Sequence, residues 1–261
     1  MRLPVAVCGA TGRVGRRLLA LVAESSDLQL VAAIVSPGSK HIGQDAGGVP
    51  YTSELPLAAS PACVIDFSSP AGTLALLPTC VGRRIPVVVA TTGFEPAERA
   101  EVLAAAHHTA VLLSPNTSLV VNLLFQLTRT TARTLAGKGF DVEIVERHHR
   151  LKKDAPSGTA THFATIVQAE MGQTDIVHGR HGLVGERPAA EIGVHAVRAG
   201  DNVGEHTILF SAVGESLELV HKGTSRDSYA NGALAAARWL AGKPAGSYTM
   251  ADVLGLGERS A

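Results

Sequence analysis

The stretch LPVAVCGATGRVGRRLLALVAES, residues 3–25, decides the fold. Leu3–Cys8 is a short apolar run, Gly9 breaks it, and from Arg13 the apolar residues recur at helical spacing. The segment therefore reads as strand, tight turn, helix. Between strand and helix lies Gly9-Ala10-Thr11-Gly12-Arg13-Val14-Gly15, a G-x-x-G-x-x-G spacing. Glycines there let the chain turn sharply and approach a pyrophosphate, which then sits on the positive end of the helix. A glycine triplet alone would equally suit a structural turn. Its place at the first strand–helix junction of an alternating β/α chain favours nucleotide binding.

The alternation continues. LQLVAAIVS (28–36), ACVIDFSSP (62–70), IPVVVATTG (85–93) and AVLLSPN (110–116) are further apolar runs, separated by helical stretches such as PAERAEVLAAAHH (96–108). Short apolar strands between helices imply a parallel sheet covered on both faces, a doubly wound Rossmann-type domain over residues 1–117. The texture then changes. FDVEIVE (140–146) alternates, with Phe140, Val142 and Ile144 on one face and Asp141, Glu143 and Val145 on the other. HTILFSAVGESLELVHK (206–222) reads as a hairpin turning near Gly214, with Leu217 and Leu219 inward. EIGVHAVRAGD (191–201) supplies another strand. These predict a smaller α+β domain at 118–228 with an open-faced mixed sheet. SYANGALAAARWLAGK (228–243) is a helix with Ala233, Ala237 and Leu240 as its stripe; residues 229–261 are expected to complete the first domain.

Composition narrows the function. The 261 residues carry 23 Lys+Arg and 23 Asp+Glu, with no basic block or basic amphipathic helix. That argues against nucleic acid and a membrane surface as partners. The apolar start is too short for a signal peptide, and no uninterrupted apolar run approaches the ~18 residues of a membrane span. Cys8, Cys63 and Cys80 lie in apolar stretches and read as buried thiols of a reducing compartment, so the chain is expected in the cytoplasm.

Two features refine the coenzyme reading. An acidic residue usually follows the second strand to hold the ribose hydroxyls; here Val35 and Ser36 occupy that place, with Ser39 and Lys40 just beyond. Hydroxyls and a cation tolerate a 2′-phosphate that a carboxylate would repel, so NADPH is expected to serve at least as well as NADH. The hydroxyl- and glycine-rich DFSSP (66–70), ATTGF (90–94) and SPNTS (114–118) each follow a strand, where ligands of such sheets bind.

ERHHRLKKDAPSGT (146–159) carries the other chemistry. Histidine and lysine suit proton transfer and carboxylate binding. Asp154–Thr159 looks like a helix start with Pro156 in its first turn, whose N–H groups near Gly158 and Thr159 would receive an anion. If the strand runs on, His148 and His149 point to opposite sides. That argues against one metal held by both, and no zinc-ligand spacing appears. His195, His206 and His221 lie in strands and read as satisfied structural histidines.

At this point the chain resembles a known family. ERHHRLKKDAPSGTA is similar to the signature of the dihydrodipicolinate (4-hydroxy-tetrahydrodipicolinate) reductases, and VAVCGATGRVGRRLL, VIDFSSP, ATTGF, SPNTSLVVNLL and HKGTSRDSYANGALAAARWL match in order. The resemblance implies a Rossmann domain, a second domain for substrate binding and tetramerisation, and a homotetramer of the diaminopimelate–lysine pathway. It implies hydride transfer from NADPH or NADH to a cyclic dicarboxylate that has lost water. It assigns His148 as proton donor and acceptor, Lys152 as proton donor, and His149, Gly158 and Thr159 to substrate. It carries coenzyme contacts to Gly9, Ala10, Thr11, Gly12, Arg13 and Val14, to Ala90, Thr91 and Thr92, and to Ser114, Pro115, Asn116 and Thr117; Ser36 joins them from the ribose argument. Leu151, Ala90, Thr117 and Val35 depart from residues frequent in the family. Three other readings stand beside it, one being a related enzyme of the same fold that reduces a different imine or enone. Another is a Rossmann oxidoreductase of the aspartate-semialdehyde or homoserine dehydrogenase kind, the first of which needs a reactive cysteine. The third is a coenzyme-sensing regulator, which leaves the His148–Lys152 cluster unexplained.

Overall fold

Alternating strands and helices place both faces of the first sheet in apolar surroundings. The structure, a computed structural model, describes residues 1–257 and divides into two compact units, Met1–Leu119 with the segment from Arg226 onward, and Val120–Ser225. The first unit runs β1 (Leu3–Cys8), α1 (Arg13–Glu24), β2 (Leu28–Ile34), β3 (Tyr51–Thr52), β4 (Cys63–Asp66), α2 (Pro70–Arg83), β5 (Val87–Val89), α3 (Pro96–Ala104) and β6 (Ala110–Leu113). α4 (Leu119–Leu135), β7 (Asp141–His148), α5 (Gly158–Met171), β8 (Asp175–Val177), β9 (Glu191–Arg198), β10 (Gly204–Ala212) and β11 (Glu215–Gly223) follow. α6 (Asp227–Leu240), β12 (Gly246–Tyr248) and α7 (Met250–Val253) return to the first unit.

The first sheet has the order β12-β6-β5-β4-β1-β2-β3, with every pair parallel. Val5, Val7, Ile65, Val88 and Leu112 line one face against Leu18, Ala233, Ala237 and Leu240 of α1 and α6. Ala6, Val64, Val87, Val89 and Val111 line the other, against Leu76, Leu77 and Val102 of α2 and α3. Continuous apolar runs, rather than alternating ones, suit strands covered on both sides, and each fully buried valine or leucine contributes about 1.5–3 kcal/mol. The chain leaves β1 for β2 on one side and pairs β1 with β4 on the other, so the order reverses there. In such sheets the carboxyl ends at the reversal form the ligand crevice. The expected single terminal helix is instead α6 followed by β12 and α7. Three residues containing Gly246 give too short a pattern to read as a strand, yet β12 pairs with β6. The part of that expectation falling on 258–261 lies outside the described residues.

The second unit is a mixed sheet of order β11-β10-β7-β9-β8, with β7 antiparallel to β10 and parallel to β9. Val142, Ile144, Ile192, Val194, Ile208 and Phe210 pack under Val121, Leu124, Phe125, Phe163 and Val167 of α4 and α5. β10 alternates buried and half-buried residues over most of its length, as a sheet covered on one face requires. The hairpin forms as expected, Gly214 taking φ +90°. Leu217 corrects the expectation: it is 43% exposed, because β11 is an edge strand and its start lies outside the helix-covered cluster, which reaches only Leu219. Among the described residues no helix is long and apolar enough to cross a membrane.

Candidate active site

In the first unit the loops singled out from sequence all follow the carboxyl ends of parallel strands. Gly9 takes φ +75°, and a Cβ there would collide with the carbonyl of Phe67, so only glycine lets the loop after β1 meet the loop after β4. Gly12 caps α1 without a side chain, and that helix has no acidic residue in its first turn. The first amides of a helix have no intrahelical acceptor, so Arg13 and Val14 present N–H groups at its positive end. Ala10 is fully buried and its N–H is spent on the carbonyl of Ile34 at 3.1 Å; Thr11 receives the Arg16 Nε–H on its carbonyl at 3.0 Å.

Asp66 is the residue sequence reasoning missed here. It ends β4 fully buried, accepting the Ser68 N–H at 3.0 Å, the Thr91 hydroxyl at 3.2 Å and the Thr73 hydroxyl. Burial raises its pKa, outweighing those donors. The carboxylate thereby ties the loop after β4 to the loop bearing Ala90, Thr91 and Thr92, of which Thr92 is exposed. An acid inside the apolar run VIDF was the available signal.

Beyond β6, Ser114 donates to the Asn116 carbonyl at 2.7 Å and Asn116 Oδ1 accepts the Ser118 N–H at 3.0 Å, a turn that leaves Pro115 exposed. Thr117 is buried, its hydroxyl given to the Tyr229 carbonyl at 2.7 Å. Val35 is buried with its N–H on the Thr52 carbonyl, whereas Ser36 and Lys40 are exposed. Cys8, Cys63 and Cys80 are buried free thiols, and burial raises the pKa of each.

In the second unit β7 ends at His148, and the His–Lys segment continues from that strand end. Glu146 and His148 are two residues apart and share the buried face with Ile144. Glu146 has no exposed surface, yet its carboxylate takes four donors: His148 Nδ1 at 2.6 Å, the Ser157 N–H at 2.9 Å, and both terminal nitrogens of Arg198 at 2.8 and 2.7 Å. Burial works to raise its pKa, but these bonds prevail and hold it at about 2. Arg198 also donates to the Asp154 carbonyl at 2.6 Å.

The segment after His148 turns away from the sheet. The His149 N–H reaches the Asn202 carbonyl at 2.7 Å and the Arg150 N–H the Gly200 carbonyl at 3.0 Å, fixing the turn on the β9–β10 loop. Lys152 is half-buried, with Nζ 2.8 Å from Asp154 Oδ1. The cap of α5 is Ser157, whose hydroxyl accepts the Ala160 N–H at 3.2 Å. Gly158 and Thr159 are thus the first helical residues, as the anion cradle requires. Pro156 precedes the cap rather than lying in the first turn, since a serine hydroxyl caps better than any group proline offers.

Of the remaining histidines, His195 is as the sequence reading had it, and His206 and His221 correct that reading. His195 is satisfied, its Nε2 2.6 Å from Glu143. His206 and His221 are buried with Nδ1 lacking a partner among the described residues. The rings of His148, His206 and His221 form a row across β7, β10 and β11, with centroids 5.4 and 5.8 Å apart. Burial and the neighbouring imidazoles lower His206 to about 3, so it is neutral at physiological pH. Among the described residues no group of three or more His, Cys, Asp or Glu could hold a metal.

Comparison with known proteins covers both units. Residues 3–117 match the family model "Dihydrodipicolinate reductase, N-terminus" and residues 120–254 match "Dihydrodipicolinate reductase, C-terminus". The 4-hydroxy-tetrahydrodipicolinate reductase of Thiobacillus denitrificans is 45% identical, covering 98% of this chain and 100% of the relative. That of Myxococcus xanthus is 44% identical over 95% and 96%. Among solved structures, dipicolinate-bound dihydrodipicolinate reductase from Paenisporosarcina sp. TG-14 shares the fold with a TM-score of 0.76 at 22% identity, over 95% of this chain and 98% of that one.

Proposed function

Because the chain belongs to the dihydrodipicolinate reductase family, we propose that it reduces 4-hydroxy-tetrahydrodipicolinate, with loss of water, to tetrahydrodipicolinate, and that the residues above divide that work. A reduced nicotinamide coenzyme supplies the hydride. The first unit fits such a group: the glycine turn that a Cβ would block, the uncapped start of α1 and three hydroxyl-bearing strand-end loops are what a pyrophosphate, ribose and nicotinamide require. Arg13 and Val14 would meet the pyrophosphate; Thr91, Thr92 and the Ser114–Thr117 turn would meet the nicotinamide side. With Val35 buried and no carboxylate at Ser36, NADPH is accepted at least as well as NADH.

His148, Lys152 and the start of α5 carry the substrate's half. Hydride addition leaves negative charge on the substrate, which a proton must meet, and His148 and Lys152 provide it. Positioned acids of this kind contribute about 10²–10⁴-fold. The N–H groups of Gly158 and Thr159, with Lys152 and His149, hold the substrate carboxylates, fixing orientation as well as adding affinity. The observation that carries this reading is the His148 imidazole anchored through Nδ1 on a buried carboxylate, an arrangement a solvated surface loop would not need.

Assembly as a homotetramer belongs to the same reading. Val145, Val197, Leu209 and Val220 share the sheet face opposite the α4–α5 core, and Val197 and Val220 are 42% and 46% exposed. Three buried free thiols suit a cytoplasmic enzyme. The deciding experiment is turnover of the cyclic substrate, generated in situ by a coupling enzyme, with NADPH and NADH in parallel and the mass measured by light scattering. Coenzyme binding without turnover would instead favour a sensor.

A further inference from the structure

We infer that Glu146 is the positioning residue of the proton-transfer step: it fixes the tautomer of His148 and, through its bonds to Arg198 and Ser157, holds the Lys152 turn and the α5 cradle in register with that ring. The inference rests on the function proposed above and gives the carboxylate that anchors His148 a role of its own.

Three observations carry it. Glu146 Oε2 lies 2.6 Å from His148 Nδ1, and a carboxylate whose pKa is depressed to about 2 accepts hydrogen bonds only. The neutral imidazole therefore bears its proton on Nδ1, which leaves Nε2, on the side of Gly204, as the nitrogen that takes up and delivers the reaction's proton. Second, Arg198 binds both carboxylate oxygens and the Asp154 carbonyl, and Asp154 in turn holds Lys152 Nζ. Third, Glu146 Oε1 accepts the N–H of Ser157, the residue that caps α5 beside Gly158 and Thr159. One fully buried carboxylate thus joins the proton donor, the lysine turn and the anion-binding helix start. A merely structural acid would not need an imidazole among its donors, because Arg198 and the Ser157 N–H already occupy both of its oxygens.

The charged and titratable groups facing His148 are Glu146 on its own strand, Arg198 on β9, His206 on β10, and Lys152 and Asp154 on the following turn, with His221 beyond His206. Of these only Glu146 bonds the ring. Its loss removes the one hydrogen-bond partner among these groups, a change the pH profile of kcat reports and a merely structural role would not move.

The test uses the intact enzyme. Glu146→Gln is expected to lower kcat by about 10- to 100-fold, as loss of an orienting partner does, to change the shape of the kcat pH profile, and to leave NADPH affinity within about twofold. Combined with His148→Gln, it is expected to cost less than it does alone, since only its hold on the Lys152 turn and the α5 start is then left to lose. An equal loss in both backgrounds would overturn the inference. Nitrogen-15 NMR of histidine-labelled wild type decides even where Glu146→Gln does not fold: neutral His148 protonated at Nδ1 supports the role, and protonation at Nε2 refutes it. Native turnover in His148→Gln alone would refute the proposed proton chemistry itself, and is separately recognisable.

Discussion

The hydroxyl of Thr117 donates to the main-chain carbonyl of Tyr229 at 2.7 Å, closing a loop of 112 residues onto the turn after β6. Gly232, one turn further along α6, permits this approach, for a Cβ there would collide with the Thr117 carbonyl. Gly232→Val is therefore expected to push α6 from the Ser114–Thr117 turn. Overpacking of this kind costs about 1–3 kcal/mol or more, seen as a lower Tm together with a raised Kd for NADPH. Thr117→Val, which removes only the hydroxyl, costs about 1 kcal/mol. Equal effects of the two on NADPH binding would show that α6 does not set the turn's position.

Coenzyme choice follows from the end of β2. Val35 is buried, and the first exposed side chain beyond it is Ser36. Ser36→Asp places a carboxylate where a 2′-phosphate would lie and where ribose hydroxyls would welcome it. The ratio of kcat/KM for NADPH over NADH is expected to fall by about tenfold or more, which corresponds to about 1.4 kcal/mol. An unchanged ratio would place the adenosine ribose elsewhere.

The first unit was legible because continuous apolar strands leave a strong local signal, and because Gly9 serves a backbone conformation that depends on its own residue type. β12 was not legible: its three residues become a strand only because β6 offers an open edge. In the second unit, His148, Lys152 and Ser157–Thr159 are close in sequence, so their grouping was readable. Arg198 stands 52 residues from Glu146, and only the parallel pairing of β7 with β9 brings the two together. The same pairing logic misled the reading of His206 and His221. A strand position says which face a side chain takes, but not whether a donor meets it there.

Acid stability separates the two units. A group whose folded pKa is depressed contributes stability that is present above its unfolded value and lost as pH falls through the folded one. His206, held down from 6.5 to about 3 by burial and by His148 and His221, begins to lose its contribution below about pH 6.5. Glu146 and Glu143, held at about 2 despite burial by their arginine and histidine partners, lose theirs only below about pH 4.5. Asp66 in the first unit is raised, so its linkage runs oppositely, favouring the fold as pH falls. Between pH 7 and 5 the second unit is expected to lose protection first in hydrogen exchange. His206→Phe should flatten that decline in part, the remainder coming from His221 and His162, whose pKa values burial also lowers. A slope unchanged in His206→Phe would remove His206 from the account.

The division of labour between His148 and Lys152 makes the sharpest kinetic demand. His148 is buried, and its bond to Glu146 is made by Nδ1, on the side away from Nε2, which suits a group that acts in the transition state. His148→Gln keeps the size and a hydrogen bond but cannot shuttle a proton, so kcat should fall by about 10²–10⁴-fold with KM little changed. Lys152 is half-buried and its ammonium is held by Asp154, an exposed side chain that a substrate carboxylate could displace. Lys152→Ala removes both a proton donor and a cation, so kcat falls and KM rises together. Asp154→Asn weakens the tether without removing the cation, and should leave kcat within about fivefold, as expected for an exposed ion pair worth ~1 kcal/mol or less. Steady-state kinetics with substrate generated in situ reads all three. A Lys152→Ala enzyme that loses kcat with no change in KM would assign the lysine to proton transfer alone and leave carboxylate binding to the start of α5.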